Sequence, residues 1–151
     1  LEGTGVSRAR NTAMSVACGD FFAFLDADDV WFPGKLEAQI RYFNSHPEVG
    51  VVFGGFKRWH PNDNGEFTSY RSLVNDVSNV VNCEQARSGW LYARLLGGLL
   101  VGMNTAVIRR DVYGEIGGFC ESMRQGEDYD FWLKASRVCE MHALDTPVAL
   151  Y

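Results

Sequence analysis

Apolar and polar positions fall into blocks whose spacing changes along the chain. Ser7 stands where an N-cap belongs, and Ala9, Ala13, Val16 and Ala17 give an apolar helical face, so a helix is predicted up to Gly19. Phe21-Phe22-Ala23-Phe24-Leu25 is then a continuous apolar run of strand length, the pattern of a strand covered on both faces. It stops abruptly at Asp26-Ala27-Asp28-Asp29. Pro33 suits the first turn of a second helix, with Leu36, Ile40 and Phe43 at helical spacing and His46-Pro47 as its end. Val49 to Phe53 reads as another buried strand, closed by Gly54-Gly55.

The second half is less regular. His60 to Gly65 is turn-rich, and Phe67 to Val81 is polar and weakly patterned. A helix is predicted from Cys83 to Leu96, with Ala86, Trp90, Ala93 and Leu96 on related faces. A strand is predicted over Asn104 to Ile108, followed by a short helix capped by Asp111 and ended by Gly117-Gly118. Glu127 to Cys139 carries acids in its first turn and Phe131, Ala135 and Val138 on one face, which predicts an amphipathic helix; a last strand is expected at Val148 to Tyr151. Strand then helix, repeated without internal repeat or linker, predicts one α/β domain with a mostly parallel sheet flanked by helices. Ligands in such sheets bind beyond the carboxyl ends of strands, where Asp26, Asp28 and Asp29 lie.

Composition narrows the function classes. The chain has 151 residues, 46% of them apolar and 13% aromatic, so it has ample material for a core and is not a disordered segment. Fourteen basic against nineteen acidic residues leave a net charge of −5, so no broad nucleic-acid-binding surface is expected. No apolar run approaches the roughly 18 residues of a membrane span. Cys18, Cys83, Cys120 and Cys139 form no C-x-x-C pair, which argues against a zinc knuckle and for reduced, mostly buried thiols in a cytoplasmic protein. Leu1-Glu2-Gly3 has no signal-peptide character, and the chain reads as one that begins inside a longer protein.

Three carboxylates within Asp26 to Asp29 repel one another unless a cation or hydrogen-bond donors sit among them. A hard divalent ion suits them, and magnesium or manganese keeps coordination sites free for phosphate oxygens. Side chains of Asp26 and Asp28 point the same way if strand geometry continues. The bland alternative is a solvated acidic turn. An EF-hand is a poor fit, because Val30 and Trp31 stand where that loop needs an acid and a glycine. In Gly126-Glu127-Asp128-Tyr129-Asp130, acids at a helix start are favoured by the helix dipole alone, by about 0.3–1 kcal/mol each. The functional alternative is a general base kept ionised by that dipole.

Taken together the segments resemble family 2 glycosyltransferases of the GT-A fold. The resemblance rests on Gly5-Val6-Ser7-Arg8-Ala9-Arg10-Asn11; Phe24-Leu25-Asp26-Ala27-Asp28-Asp29 with Pro33 and Lys35-Leu36; Gly102 to Arg110; Gly117-Gly118-Phe119; and Gly126 to Leu133. It implies a Rossmann-like sheet that lacks the family's first strands, and inverting, metal-dependent transfer of a sugar from a nucleotide diphosphate, a UDP-sugar above all, to a hydroxyl of a carbohydrate or lipid-linked acceptor. Carried over, Asp28 would bind Mn2+ or Mg2+ and Asp26 would lie near the donor's ribose or the metal. Asp128 would be the general base, Glu127 would orient the acceptor, Arg8 would lie near the donor cleft, and Asn11 would support local backbone. Residues 1–56 would be the rest of the donor and metal half, 57–101 a variable insert shaping acceptor choice, and 102–151 the acceptor and base half. An incomplete sheet also implies an exposed edge and self-association, and the resemblance implies a cytoplasmic location, peripheral to the inner face of a membrane.

Other residues invite weaker readings. His46 reads as structural, and neither His60 nor His142 sits in a ligand motif. Trp59 is the best aromatic for stacking on a sugar, whereas Trp90 and Trp132 lie on helical faces and read as core. Arg109-Arg110 reads as a solvated strand end, and Cys120 has no nearby His to make it a nucleophile. Two other functions compete. A haloacid-dehalogenase-like phosphatase would use Asp26 as nucleophile, but its Ser/Thr and Lys motifs are missing. A truncated, non-catalytic domain would bind sugar or a partner chain.

Overall fold

The computed structural model describes residues 5–75 and 88–151. Helix α1 (Val6–Val16) leads to strand β1 (Phe21–Ala23), followed by the short β2 (Val30–Trp31), α2 (Lys35–Ser45) and the long β3 (Val49–Lys57). After α3 (Tyr70–Asn75) and α4 (Tyr92–Leu95), a 3-10 turn at Met103–Thr105 enters β4 (Val107–Arg109), and α5 (Arg110–Ile116), α6 (Glu127–Ala135) and β5 (Glu140–Leu150) complete the chain. The strands form one sheet in the order β1-β4-β3-β5-β2.

The α/β class stands, but the sheet is not mostly parallel. Among the described residues only β3 and β5 run parallel; β1 with β4, β4 with β3, and β5 with β2 are antiparallel. The apolar run misleads because Val107 and Ile108 are as deeply buried as Val51 and Val52. A strand covered on both faces reads the same in either direction, and burial carries no sign of chain polarity.

Both N-terminal helices turn inward a face that differs from the predicted one. On α1, Ala9 and Ala13 are exposed and Val16 is 73% exposed, while Ser7 and Met14 are buried with Arg10 between them. On α2, Leu36 is exposed while Lys35, Gln39 and Phe43, four residues apart, are buried. The periodicity was real, but polar residues occupy it.

Several boundaries differ from expectation. Strand β1 ends at Ala23, and Leu25 is exposed. The last helix stops at Ala135, and β5 begins eight residues before Val148, where a strand was expected; exposed Asp145 and Thr146 and the half-buried Pro147 interrupt its pattern. Of the helix expected over Cys83 to Leu96, only Tyr92–Leu95 is helical among the described residues; residues 83–87, Cys83 included, lie outside them, as does much of the Phe67 to Val81 segment. Trp90 is 62% exposed rather than core, whereas Trp132 is fully buried. Cys139 is buried, Cys120 half-buried and Cys18 exposed, all as free thiols, so only one described thiol meets the expectation of burial.

The main core lies on the side of the sheet covered by α5 and α6. Phe119 stacks on Phe131 at 4.1 Å, and Phe131 meets Phe24 and Trp132 edge-on. A smaller cluster of Phe43, Val49, Val52 and Val107 packs beneath α2. Gly50 in β3 is required by this packing, because a Cβ there would fall 2.5 Å from Cys139 Sγ. No helix among the described residues is long and apolar enough to cross a membrane.

Candidate active site

The acidic tip after β1 and the first turn of α6 face one cavity of about 360 Å3. Its wall carries Asp26 and Asp29 from the tip, Glu127 and Asp128 from α6, and Asn104 from the 3-10 turn. Arg10 of α1 stands among them. One terminal nitrogen donates to both carboxylate oxygens of Asp26, at 3.0 and 3.1 Å, and the other to Glu127 Oε1 at 3.3 Å. The guanidinium also lies 5.3 Å from the centre of the Phe119 ring, so aromatic faces complete its shell.

Local geometry explains the arrangement. Gly126 precedes α6 with φ of 75°, a left-handed conformation that glycine adopts without strain, and it turns the chain so that Glu127 and Asp128 open the helix. Asp128 Oδ1 accepts the backbone N–H of Tyr129 at 2.7 Å. Burial pushes the Asp29 carboxyl up from its ordinary value, the charges of Asp26 and Asp28 push it further, and a hydrogen bond with Asn104 pulls part of the way back. Asp28 is exposed, lies outside the cavity wall, and makes no hydrogen bond or ion pair with another described residue.

Arg8, expected near the cleft, is exposed on the outer face of α1 and does not line the cavity; Arg10 is there instead. Helical spacing held the signal, since Ser7, Arg10 and Met14 share the inward face. Asn11 supports backbone as expected, though far away in sequence. Its Nδ2 donates to Phe119 O at 2.9 Å, and its Oδ1 accepts the Phe119 N–H at 2.9 Å.

Trp59 does not reach the cavity: its Nε1 donates to Thr68 O and its ring meets Phe67. Phe56 and Tyr151 supply the aromatic lining, their rings edge to face at 5.9 Å. His46 stacks on Tyr42 at 4.0 Å, as a structural histidine would, and His142 lies between the Tyr42 hydroxyl and Glu140. Arg109 and Arg110 are not solvated strand ends. Arg109 donates to the carbonyls of Val49 and Phe43, and Arg110 to those of Gly19 and Ala17. Cys120 Sγ lies 3.2 Å from Ser122 Oγ, outside the cavity wall; that hydrogen bond pulls its thiol pKa down.

Residues 2–96 match glycosyl transferase family 2. The chain belongs to that family. The Escherichia coli UDP-Glc:alpha-D-GlcNAc-diphosphoundecaprenol beta-1,3-glucosyltransferase WfgD is 30% identical over 129 residues, which is 85% of this chain and 43% of that protein. The Bacillus subtilis putative teichuronic acid biosynthesis glycosyltransferase TuaG is 29% identical over 132 residues, 87% of this chain and 46% of its own. Among solved structures, S. aureus TarS 1-349 in complex with UDP-GlcNAc superposes with a TM-score of 0.70 at 20% identity, over the whole of this chain and 40% of that one. This likeness establishes a GT-A-like fold. The chain spans less than half the length of these proteins. Family membership leaves the phosphatase alternative without support.

Proposed function

We propose that this family 2 chain forms the metal-binding and proton-accepting part of an inverting glycosyltransferase, which moves a sugar from a UDP-sugar to a hydroxyl of a carbohydrate or lipid-linked acceptor. The observation that carries the reading is the Arg10 bridge, which draws the tip carboxylate Asp26 and the α6 carboxylate Glu127 to one cavity. An acidic turn that only met solvent would not be tied across the fold to a helix start.

Asp128 is the proposed general base. It lies in the cavity wall at the start of α6, and its Oδ2 has no partner among the described residues. Glu127, held by Arg10, would orient the acceptor hydroxyl. Asp26 would face the donor's ribose or contribute to the metal, since Arg10 occupies two of a carboxylate's roughly four acceptor sites. Arg8 on the outer face has no role in this reading.

Among the described residues no three His, Cys, Asp or Glu side chains gather into a ready metal cage, so a hard divalent cation would be held by the tip carboxylates together with phosphate oxygens of the donor. Asp28 is unpaired among the described residues, and Asp29, raised first by burial and then by the charges of Asp26 and Asp28, stands beside it. Asp28, with Asp26, would hold Mn2+ or Mg2+, which when bound neutralises charge developing on the diphosphate leaving group.

The division into residues 1–56, 57–101 and 102–151 follows the same reading. A lipid-linked acceptor is supported by the diphosphoundecaprenol in the relative's name. The free thiols suit a reducing, cytoplasmic compartment, here at the inner face of a membrane. Self-association would use the exposed Val6 and Val16 of α1; sedimentation as a monomer at every concentration excludes it.

Calorimetry with UDP-sugars and manganese tests the reading, together with a transfer assay. Asp128→Asn is expected to abolish transfer while leaving donor binding nearly intact. Unchanged turnover removes Asp128 as the base. Absence of heat with every nucleotide sugar favours the non-catalytic binding domain.

A further inference from the structure

Gln39 is fully buried in α2 and does not line the cavity. Burying a carboxamide is costly unless its groups are bonded, and a methionine or leucine would fill the same space without that cost. Here three of its four hydrogen-bonding positions are used. Nε2 donates to Val52 O of β3 and to Thr105 O, both at 2.8 Å, and Oε1 accepts from Lys35 Nζ at 2.8 Å.

The Thr105 carbonyl ends the 3-10 turn that presents Gly102, Met103 and Asn104 to the cavity. A turn this short has no following helical residue to take its last carbonyls. The preceding carbonyl, that of Asn104, accepts from Trp31 Nε1 at 2.8 Å. Lys35 joins the two donors: its amine bonds Gln39 and lies 4.3 Å from the centre of the Trp31 ring. Two consecutive carbonyls, those of Asn104 and Thr105, are thus held by two side chains outside the cavity, while Asn104 itself lines the cavity wall together with Asp29 and its Nδ2 donates to Leu150 O at 3.5 Å.

We propose that Gln39 is a positioning residue, whose carboxamide, with the Trp31 indole, fixes the Gly102–Thr105 turn so that Asn104 meets the acidic tip at the angle nucleotide-sugar binding requires. The inference rests on the reading of the cavity as the donor site. Asn104 then acts on the donor side of the cavity through Asp29, and Gln39 acts only through Asn104.

The test is Gln39→Met in the full chain, followed by the 1H-15N resonances of the Trp31 indole and the Asn104 carboxamide and by calorimetry with UDP-GlcNAc and manganese. The expected result is displaced Trp31 and Asn104 signals, with the rest of the spectrum unchanged, and a donor affinity lowered about tenfold, the size of one well-placed hydrogen bond. A purely structural role would lower the melting midpoint yet leave those signals and the affinity of the folded protein at wild-type values; that result overturns the proposal. If Gln39→Met does not fold, Trp31→Phe removes the second holding bond from the same turn. Positioning predicts the same displaced Asn104 signal and weaker binding, and wild-type behaviour in both overturns it. If the unaltered chain binds no UDP-GlcNAc, the donor-site reading fails, while the resonances still decide whether Gln39 sets the turn.

Discussion

Arg10 and Glu127 form the contact that closes the site. The pair lies at 3.3 Å with the side chains only 11% and 16% exposed, while Asp26, on the other arm of the same guanidinium, is 46% exposed. The inner pair therefore carries most of the energy, and the outer one is screened by water. Arg10→Met is expected to destabilise the fold by about 1–3 kcal/mol, because it leaves Glu127 without its counter-charge beside Asp128. Arg10→Lys keeps the charge but cannot span two carboxylates in one plane, and should recover less than half of the loss. Urea melts of the three proteins measure this; equal midpoints for wild type and Arg10→Met would show that the bridge is decorative.

Asn11 predicts a larger effect than its half-exposed position suggests. Its carboxamide bonds both the N–H and the carbonyl of Phe119, and Phe119 stacks on Phe131 in the core. Asn11→Ala should cost about 2–3 kcal/mol, the sum of two hydrogen bonds to partly buried backbone. Gly118→Ala should be at least as damaging. Gly118 has φ of 79°, and a Cβ there would stand 2.7 Å from Asn11 Oδ1. Both are read from thermal melts, and a change of less than 1 °C in either variant refutes the clamp.

Legibility in the sequence followed locality. The acidic tip was readable because a buried strand meets carboxylates within a few residues, and the α6 cluster because acids open an amphipathic helix. The helix faces were not. Ser7, Arg10 and Asn11 turn inward on α1, and Lys35 and Gln39 on α2, so polar residues stand where periodicity asks for apolar ones. Their partners lie in distant segments: Arg10 meets Glu127, Asn11 meets Phe119, and Gln39 meets Thr105. A pattern read along the chain cannot see those pairings, and so it points to Arg8 near the donor cleft, whereas Arg10 lines the cavity. Strand direction was hidden for a related reason, because β4 is covered on both faces whichever way it runs.

The proposed metal site separates the tip carboxylates. Asp28 is exposed and unpaired among the described residues, whereas Asp26 is neutralised in part by Arg10. Asp28→Asn is therefore expected to remove the manganese-dependent part of UDP-sugar binding with little change in stability, within about 0.5 kcal/mol. Asp26→Asn should instead lower stability and metal dependence together, because it releases Arg10. Titration of manganese at fixed nucleotide distinguishes them. Unaltered metal dependence in Asp28→Asn would exclude Asp28 as the ligand.

Lys35 makes stability depend on alkaline pH. Burial pulls its amine from the ordinary 10.5 down to about 7 in the folded chain. Between those values the unfolded chain holds a proton that the folded chain does not, so more protons are bound on unfolding and stability rises with pH. Falling pH reverses this across the same window, until below about 7 both states are protonated and the dependence levels off. The full difference is worth at most a few kcal/mol. Lys35→Met abolishes it. The stability of wild type relative to that variant should therefore increase steadily from about pH 7 to about pH 10, whereas other groups contribute equally to both proteins and cancel. Urea melts at intervals across the window measure the difference, and a flat line would mean that the Lys35 amine titrates at its ordinary value despite its burial against Gln39.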